Sequence, residues 1–121
     1  MLPAAARMRH RHEFTLAMRR GRRAGRPLLS AHLVIGPDRE DPARVGFVVS
    51  RAVGSAVVRN RVRRRLRHLM RERMGSLPEG SLLVIRANSA AADARQGDLA
   101  AELDLVLGRL LRRQVGALGR L

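Results

Sequence analysis

The side chains best able to act on another molecule lie between Ala56 and Met74, in AVVRNRVRRRLRHLMRERM. Arg59, Arg61, Arg63, Arg64, Arg65, Arg67, Arg71 and Arg73 stand there against a single acid, Glu72. A guanidinium is a permanent cation whose planar fork matches a phosphate with two hydrogen bonds and stacks on bases. On a helix at about 100° per residue, Val58, Val62, Leu66, Leu69 and Met70 fall in one apolar arc facing a core. The opposite arc is basic. Asn60, Arg64, Arg67 and Arg71 form one row with Arg63 beside it; Arg61, Arg65, His68 and Glu72 form a second. Like charges at i,i+4 each cost about 0.2–0.5 kcal/mol, and Arg59/Arg63, Arg61/Arg65, Arg63/Arg67 and Arg67/Arg71 all have that spacing. A polyanion on this face turns the repulsion into attraction.

Nothing in the chain looks able to break a bond. The histidines are His10, His12, His32 and His68, and none has a carboxylate partner at catalytic or metal-ligand spacing. The absence of cysteine excludes disulfides, zinc-thiolate sites and thiol catalysis. Asp38, Glu40 and Asp41 are the one acidic cluster in the basic half, but a two-metal nuclease needs carboxylates converging from rigid elements. A hairpin tip supplies neither. No catalytic residue and no metal ligand is therefore assigned.

These side chains need a small scaffold. The 121 residues fit one domain spanning 1–121, with residues 1–9 expected as a loose basic arm. A net charge of +15, carried by 25 arginines and no lysine, points to nucleic acid, with an anionic membrane surface as the rival. The basic surface belongs to the first 74 residues, and the rest is close to neutral. The apolar stripe has no Trp or Phe anchor and suits a core better than a bilayer. No apolar run of signal-peptide or membrane-spanning kind occurs, so the expected compartment is the cytoplasm.

In chain order, Arg11–Arg20 reads as a short helix ending at Gly21, with Phe14 and Met18 at i,i+4. That pair is either a core anchor or a stacking platform. Gly21–Pro27 reads as a basic connecting loop. Leu28–Ile35 alternates as a strand, with Leu29, Ala31, Leu33 and Ile35 on one face and Ser30 and His32 on the other. Gly36–Ala43 reads as a hairpin loop, Arg44–Ser50 as a second strand, and Ser55 as the N-cap of the basic helix. Ser81–Ala87 is a third strand buried on both faces, and Leu99, Leu103, Val106, Leu107, Leu110 and Leu111 mark a closing amphipathic helix. The result is an α+β sandwich, a small, mostly antiparallel sheet packed by helices. Its strand–helix–strand unit from Arg44 to Ala87 would ordinarily cross over right-handed.

The run RVGFVVSRAVGSAVVRNRVRRRLR, from Arg44 to Arg67, resembles the bacterial ribonuclease P protein component family. The matching positions are Val49, Ser50, Arg51, Gly54, Ala56, Val57, Arg59, Asn60, Arg61, Arg63 and Arg64, and the likeness extends to the Glu13–Phe14 helix and Gly21. The resemblance implies a noncatalytic subunit whose RNA partner removes the 5′ leader from precursor tRNA with Mg²⁺, and a left-handed crossover around the basic helix. Carried over by position, it implies that Arg51, Arg59, Asn60, Arg61, Arg63, Arg64 and Arg67 contact the catalytic RNA. Phe14, Met18 and His32 would line a leader cleft between the first helix and the sheet. Met18 and His32 stand where the family often has aromatics, and Ala52 where it often has a second basic residue. No membrane or obligate protein partner is implied. A general basic nucleic-acid binder of ribosomal type is the alternative.

Overall fold

The computed structural model describes residues 2–36 and 40–119, with side chains through residue 112. Helix α1 (Arg11–Arg20) is followed by strands β1 (Arg22–Gly25), β2 (Leu29–Ile35) and β3 (Arg44–Val48), helix α2 (Ala56–Arg71), strand β4 (Ser81–Ala87) and helix α3 (Gln96–Gly119). The sheet order is β1-β2-β4-β3, with β3 and β4 parallel and the other pairs antiparallel.

The sheet order follows from β4. Its sequence SLLVIRA buries every residue except Arg86, and a strand apolar on both faces belongs in the middle of a sheet covered on both sides. β4 therefore lies between β2 and β3, and the hairpin expected across Gly36–Ala43 does not form. Residues 37–39 of that connection, Asp38 among them, lie outside the described residues. Asp41 faces Arg44 at 3.4 Å.

One face of the sheet presents Leu29, Ala31, Leu33, Val45, Leu83 and Ile85 to α2 and α3. The stripe expected on the basic helix packs here, with Val62, Leu66, Leu69 and Met70 buried and Val58 partly so. Leu99, Leu103, Val106, Leu107 and Leu110 of α3 close the same core, each side chain contributing about 1.5–3 kcal/mol by leaving water. The other face carries Leu82 and Val84, covered by Met8, Ala17 and the half-buried Phe14, Leu16 and Met18.

Two segments depart from expectation. The described part of the expected loose arm, residues 2–9, packs on the domain: Leu2 and Met8 are buried, Ala4–Ala6 form a 3-10 turn, and Arg7 pairs in parallel with Val45. The Met8 N–H donates to the Val45 carbonyl at 3.0 Å. The physical reason is the open edge of β3, whose unpaired backbone groups attract a further strand, while Leu2 and Met8 supply apolar anchors. The second departure is β1, expected as a loop. Ala24 is its one buried residue, so its pairing with β2 and not its own hydrophobicity makes it a strand.

Candidate nucleic-acid interface

Helix α2 starts where the local chemistry requires. The Ser55 hydroxyl accepts the Val58 N–H at 3.3 Å. Gly54, at φ 152 and ψ −162, takes a backbone conformation essentially confined to glycine and turns the chain from Arg51–Val53 into the helix. The helix ends at Arg71, short of Met74, because Arg73 folds back: it donates to the Leu69 carbonyl at 2.8 Å and to Asp104 of α3 at 2.7 Å.

The structure divides the arginines by what they touch. Arg73 holds α2 to α3, and Arg65 donates to the Ala94 carbonyl at 3.0 Å while Gln96 donates to the Arg65 carbonyl at 3.4 Å. These two are structural. Arg51, Asn60, Arg61 and Arg64 are exposed, and Arg59, Arg63 and Arg67 are half-buried. Arg63 donates to the Asn60 side-chain oxygen at 3.1 Å, which fixes both side chains on the helix face. The buried Nε of Arg59 has no partner. The ion pairs among the described residues are Arg26–Glu102, Arg44–Glu13, Arg44–Asp41 and Arg73–Asp104. None of them neutralises the exposed face of α2.

Arg63 and Arg67 also reach past the edge of β3. With Arg7, Met8, Phe14, Val45, Gly46 and Phe47 they line an open cavity of about 140 Å³. Both aromatic residues of the chain meet three arginines there, which provides a face for stacking and charge for a phosphate. Phe14 lies directly over Gly46, where a Cβ would collide with the ring. The helix carrying Phe14 is fixed by Glu13, which is 4% exposed and binds the Arg44 guanidinium at 2.7 Å. Its other carboxylate oxygen accepts the His10 N–H at 3.4 Å at the start of α1.

The remaining two candidates lie on the same sheet face. Met18 is half-buried beside Phe14 in the α1 cluster. His32 is 8% exposed, and its Nδ1 is buried without a hydrogen-bond partner. Burial, then the charges of Arg23 and Arg86, holds its pKa below the usual histidine value. One row of residues runs Arg23, His32, Val84, Gly46 across all four strands. Phe14 caps its Gly46 end, and Arg23 closes the other.

Sequence reasoning missed Arg7, Phe47, and the Glu13–Arg44 pair that holds α1 in place. Phe47 had a signal, being one of two aromatics in a basic chain; Arg7 had none, because its position depends on the unpaired edge of β3. Among the described residues no group of three or more His, Asp or Glu could hold a metal ion, and no helix is long and apolar enough to cross a membrane.

Comparison with known proteins bears directly on this arrangement. The family model for Ribonuclease P matches residues 2–111. The Ribonuclease P protein component of Streptomyces avermitilis is 56% identical over 118 residues, covering 92% of this chain and 96% of that protein. That of Thermobifida fusca is 56% identical over 118 residues, covering 93% and 80%. Among solved structures, the RNase P protein of Thermotoga maritima superposes with a TM-score of 0.71 at 24% identity, covering 88% of this chain and 96% of that one. That of Staphylococcus aureus gives 0.74 at 20% identity, covering 85% and 93%. The fold is thus that of RNase P proteins, and with more than half the residues shared along nearly the whole length, the chain belongs to the ribonuclease P protein component family and serves as a subunit of that tRNA-processing endoribonuclease.

Proposed function

We propose that this subunit binds the catalytic RNA of ribonuclease P through Arg51, Arg59, Asn60, Arg61, Arg63, Arg64 and Arg67, and holds the 5′ leader of precursor tRNA between α1 and the sheet. The observation that carries this reading is the continuity of the surface. The uncompensated face of α2 runs through Arg63 and Arg67 into the cavity that holds Phe14, so one RNA path can pass from the helix to the cleft. In this reading Phe14, Met18 and His32 line the leader cleft, and Phe14, which lines the cavity, offers the aromatic face.

In this reading the protein performs no bond-breaking. It neutralises phosphates where the leader approaches the catalytic RNA, which lowers the cost of bringing two polyanions together. Hydrolysis and its Mg²⁺ belong to the RNA of the cytoplasmic ribonucleoprotein. The direct test is cleavage of a precursor tRNA by a bacterial ribonuclease P RNA at low Mg²⁺, with the protein, without it, and with the Asn60→Ala/Arg61→Ala variant. Strong stimulation by the native protein that the variant loses is the expected result. Equal stimulation by both proteins would remove the α2 face from the interface.

A further inference from the structure

We propose that Arg23, His32 and Arg86 form a clamp for one backbone phosphate of the leader on the floor of the cleft. The proposal rests on the leader reading given above and extends it to residues outside the basic helix. It begins with register. Arg23 stands directly opposite His32, and Arg86 stands opposite Ser30, two residues along β4 from the Val84 that faces His32. Arg86 and His32 are therefore diagonal neighbours, within reach of long side chains. Strand alternation puts all three on one face, because Ala24, Ala31, Ile85 and Ala87 are buried in the core on the other.

The side chains converge further than the register requires. A Cβ added at Gly25 would lie 3.1 Å from both Nη1 and Nη2 of Arg23. The Arg23 guanidinium is thus folded over Gly25, and Gly25 pairs with Ser30, the residue opposite Arg86. The cation of Arg23 leans along the sheet toward the row that Arg86 occupies. Glycine at position 25 is what leaves it room.

Neither arginine has an ion-pair partner among the described residues, and the charges acting on His32 are those of Arg23 and Arg86. Two guanidiniums on one sheet face, beside a buried imidazole whose Nδ1 has no partner, leave both positive charge and hydrogen-bonding capacity unsatisfied. A phosphate answers both needs: its oxygens accept from each guanidinium, and the imidazole nitrogen completes the set. With His32 neutral near pH 7, the site adds a directional contact without a third charge. Two guanidiniums without ion-pair partners match the charge of a phosphate, so this end of the cleft holds the backbone. The leader would be stacked at one end of the row, on Phe14, and gripped by its phosphate at the other.

The test uses the assembled holoenzyme, this protein with a bacterial ribonuclease P RNA. Probes are precursor tRNAs in which single leader phosphates are replaced by methylphosphonates, and a leaderless tRNA. The native holoenzyme should lose roughly tenfold in affinity when one particular leader phosphate is neutralised, as for a charge-assisted contact. The Arg23→Gln/Arg86→Gln variant should show that loss already with the unmodified leader and be indifferent to the methylphosphonate. Its leader-dependent binding should also fall less steeply with salt, by about 0.7 in the slope of log K against log salt, from the one single-strand phosphate no longer held. Unchanged methylphosphonate sensitivity at every position in the variant overturns the clamp and leaves the leader reading standing. Equal native affinity for leader-bearing and leaderless tRNA overturns the leader reading and the clamp with it.

Discussion

Single residues set several limits on this molecule. Gly54 sits at φ 152 with the Val58 side chain 3.0 Å from where a Cβ would stand, so Gly54→Ala combines backbone strain with a close contact. We expect a loss of about 1–3 kcal/mol, visible as a Tm lowered by at least about 4 °C. Gly97→Ala is the matched control: nothing lies within 4 Å of a Cβ there, in the first turn of α3, and Tm should hold or rise. His32 gives a pH dependence. Its folded pKa is lowered, chiefly by burial and then by Arg23 and Arg86, so between that value and the unfolded value near about 6.5 the unfolded chain binds more protons. Its contribution to stability is complete above that unfolded value and is lost as pH falls through the folded one. Melting at pH 7.5 and 5.5 should show a larger drop for the native protein than for His32→Gln; equal drops would mean that His32 is not the titrating group.

At the scale of elements, the cleft depends on how α1 is tied to the sheet. The Glu13–Arg44 pair is that tie, short at 2.7 Å and with Glu13 buried, while Gly46 gives the Phe14 ring the space to reach β3. Glu13→Gln should cost about 1–3 kcal/mol, because it removes the carboxylate charge from the shortest contact of the Arg44 guanidinium. Its functional signature should be weaker binding of leader-bearing tRNA with an unchanged affinity for the RNA subunit, read by titrating each RNA separately. A parallel fall in both affinities would show that α1 also supports the α2 face. At the other side of the core, Arg73 binds α2 to α3 through Leu69 and Asp104, which removes that arginine from the RNA-facing set.

For the whole molecule, the dominant property is a charge of +15 spread unevenly. Arginines stand on the exposed face of α2, around the Phe14 cavity and at the Arg23 end of the sheet row, while the acids Asp104 and Glu102 pair with Arg73 and Arg26. Binding of the RNA subunit should therefore weaken steeply with salt. Each phosphate contact contributes about 0.7–0.9 to the slope of log K against log salt. Arg61→Ala/Arg64→Ala, which removes two exposed arginines without touching the core, should reduce that slope by about 1.4–1.8 and leave Tm nearly unchanged. An unaltered slope would place the RNA elsewhere on the surface.

Local sequence alone determined the basic helix, its N-cap, its buried stripe, β2, the twice-buried β4 and the closing helix. Each of these is written in the periodicity of neighbouring residues or in a cap, so the physics that makes it is short-range. The family signature from Val49 to Arg64 likewise names residues on one continuous stretch. Other features depended on residues distant in sequence. β1 has too little apolar content to be recognised and exists because β2 pairs with it; the N-terminal segment is ordered because the edge of β3 needs a partner; β4 separates two strands that look like a hairpin. The joining of Phe14 and Phe47 to Arg7, Arg63 and Arg67, and of Arg23 to His32 and Arg86, was decided in the same way. Sheet register and edge pairing are long-range choices, and only the folded chain makes them.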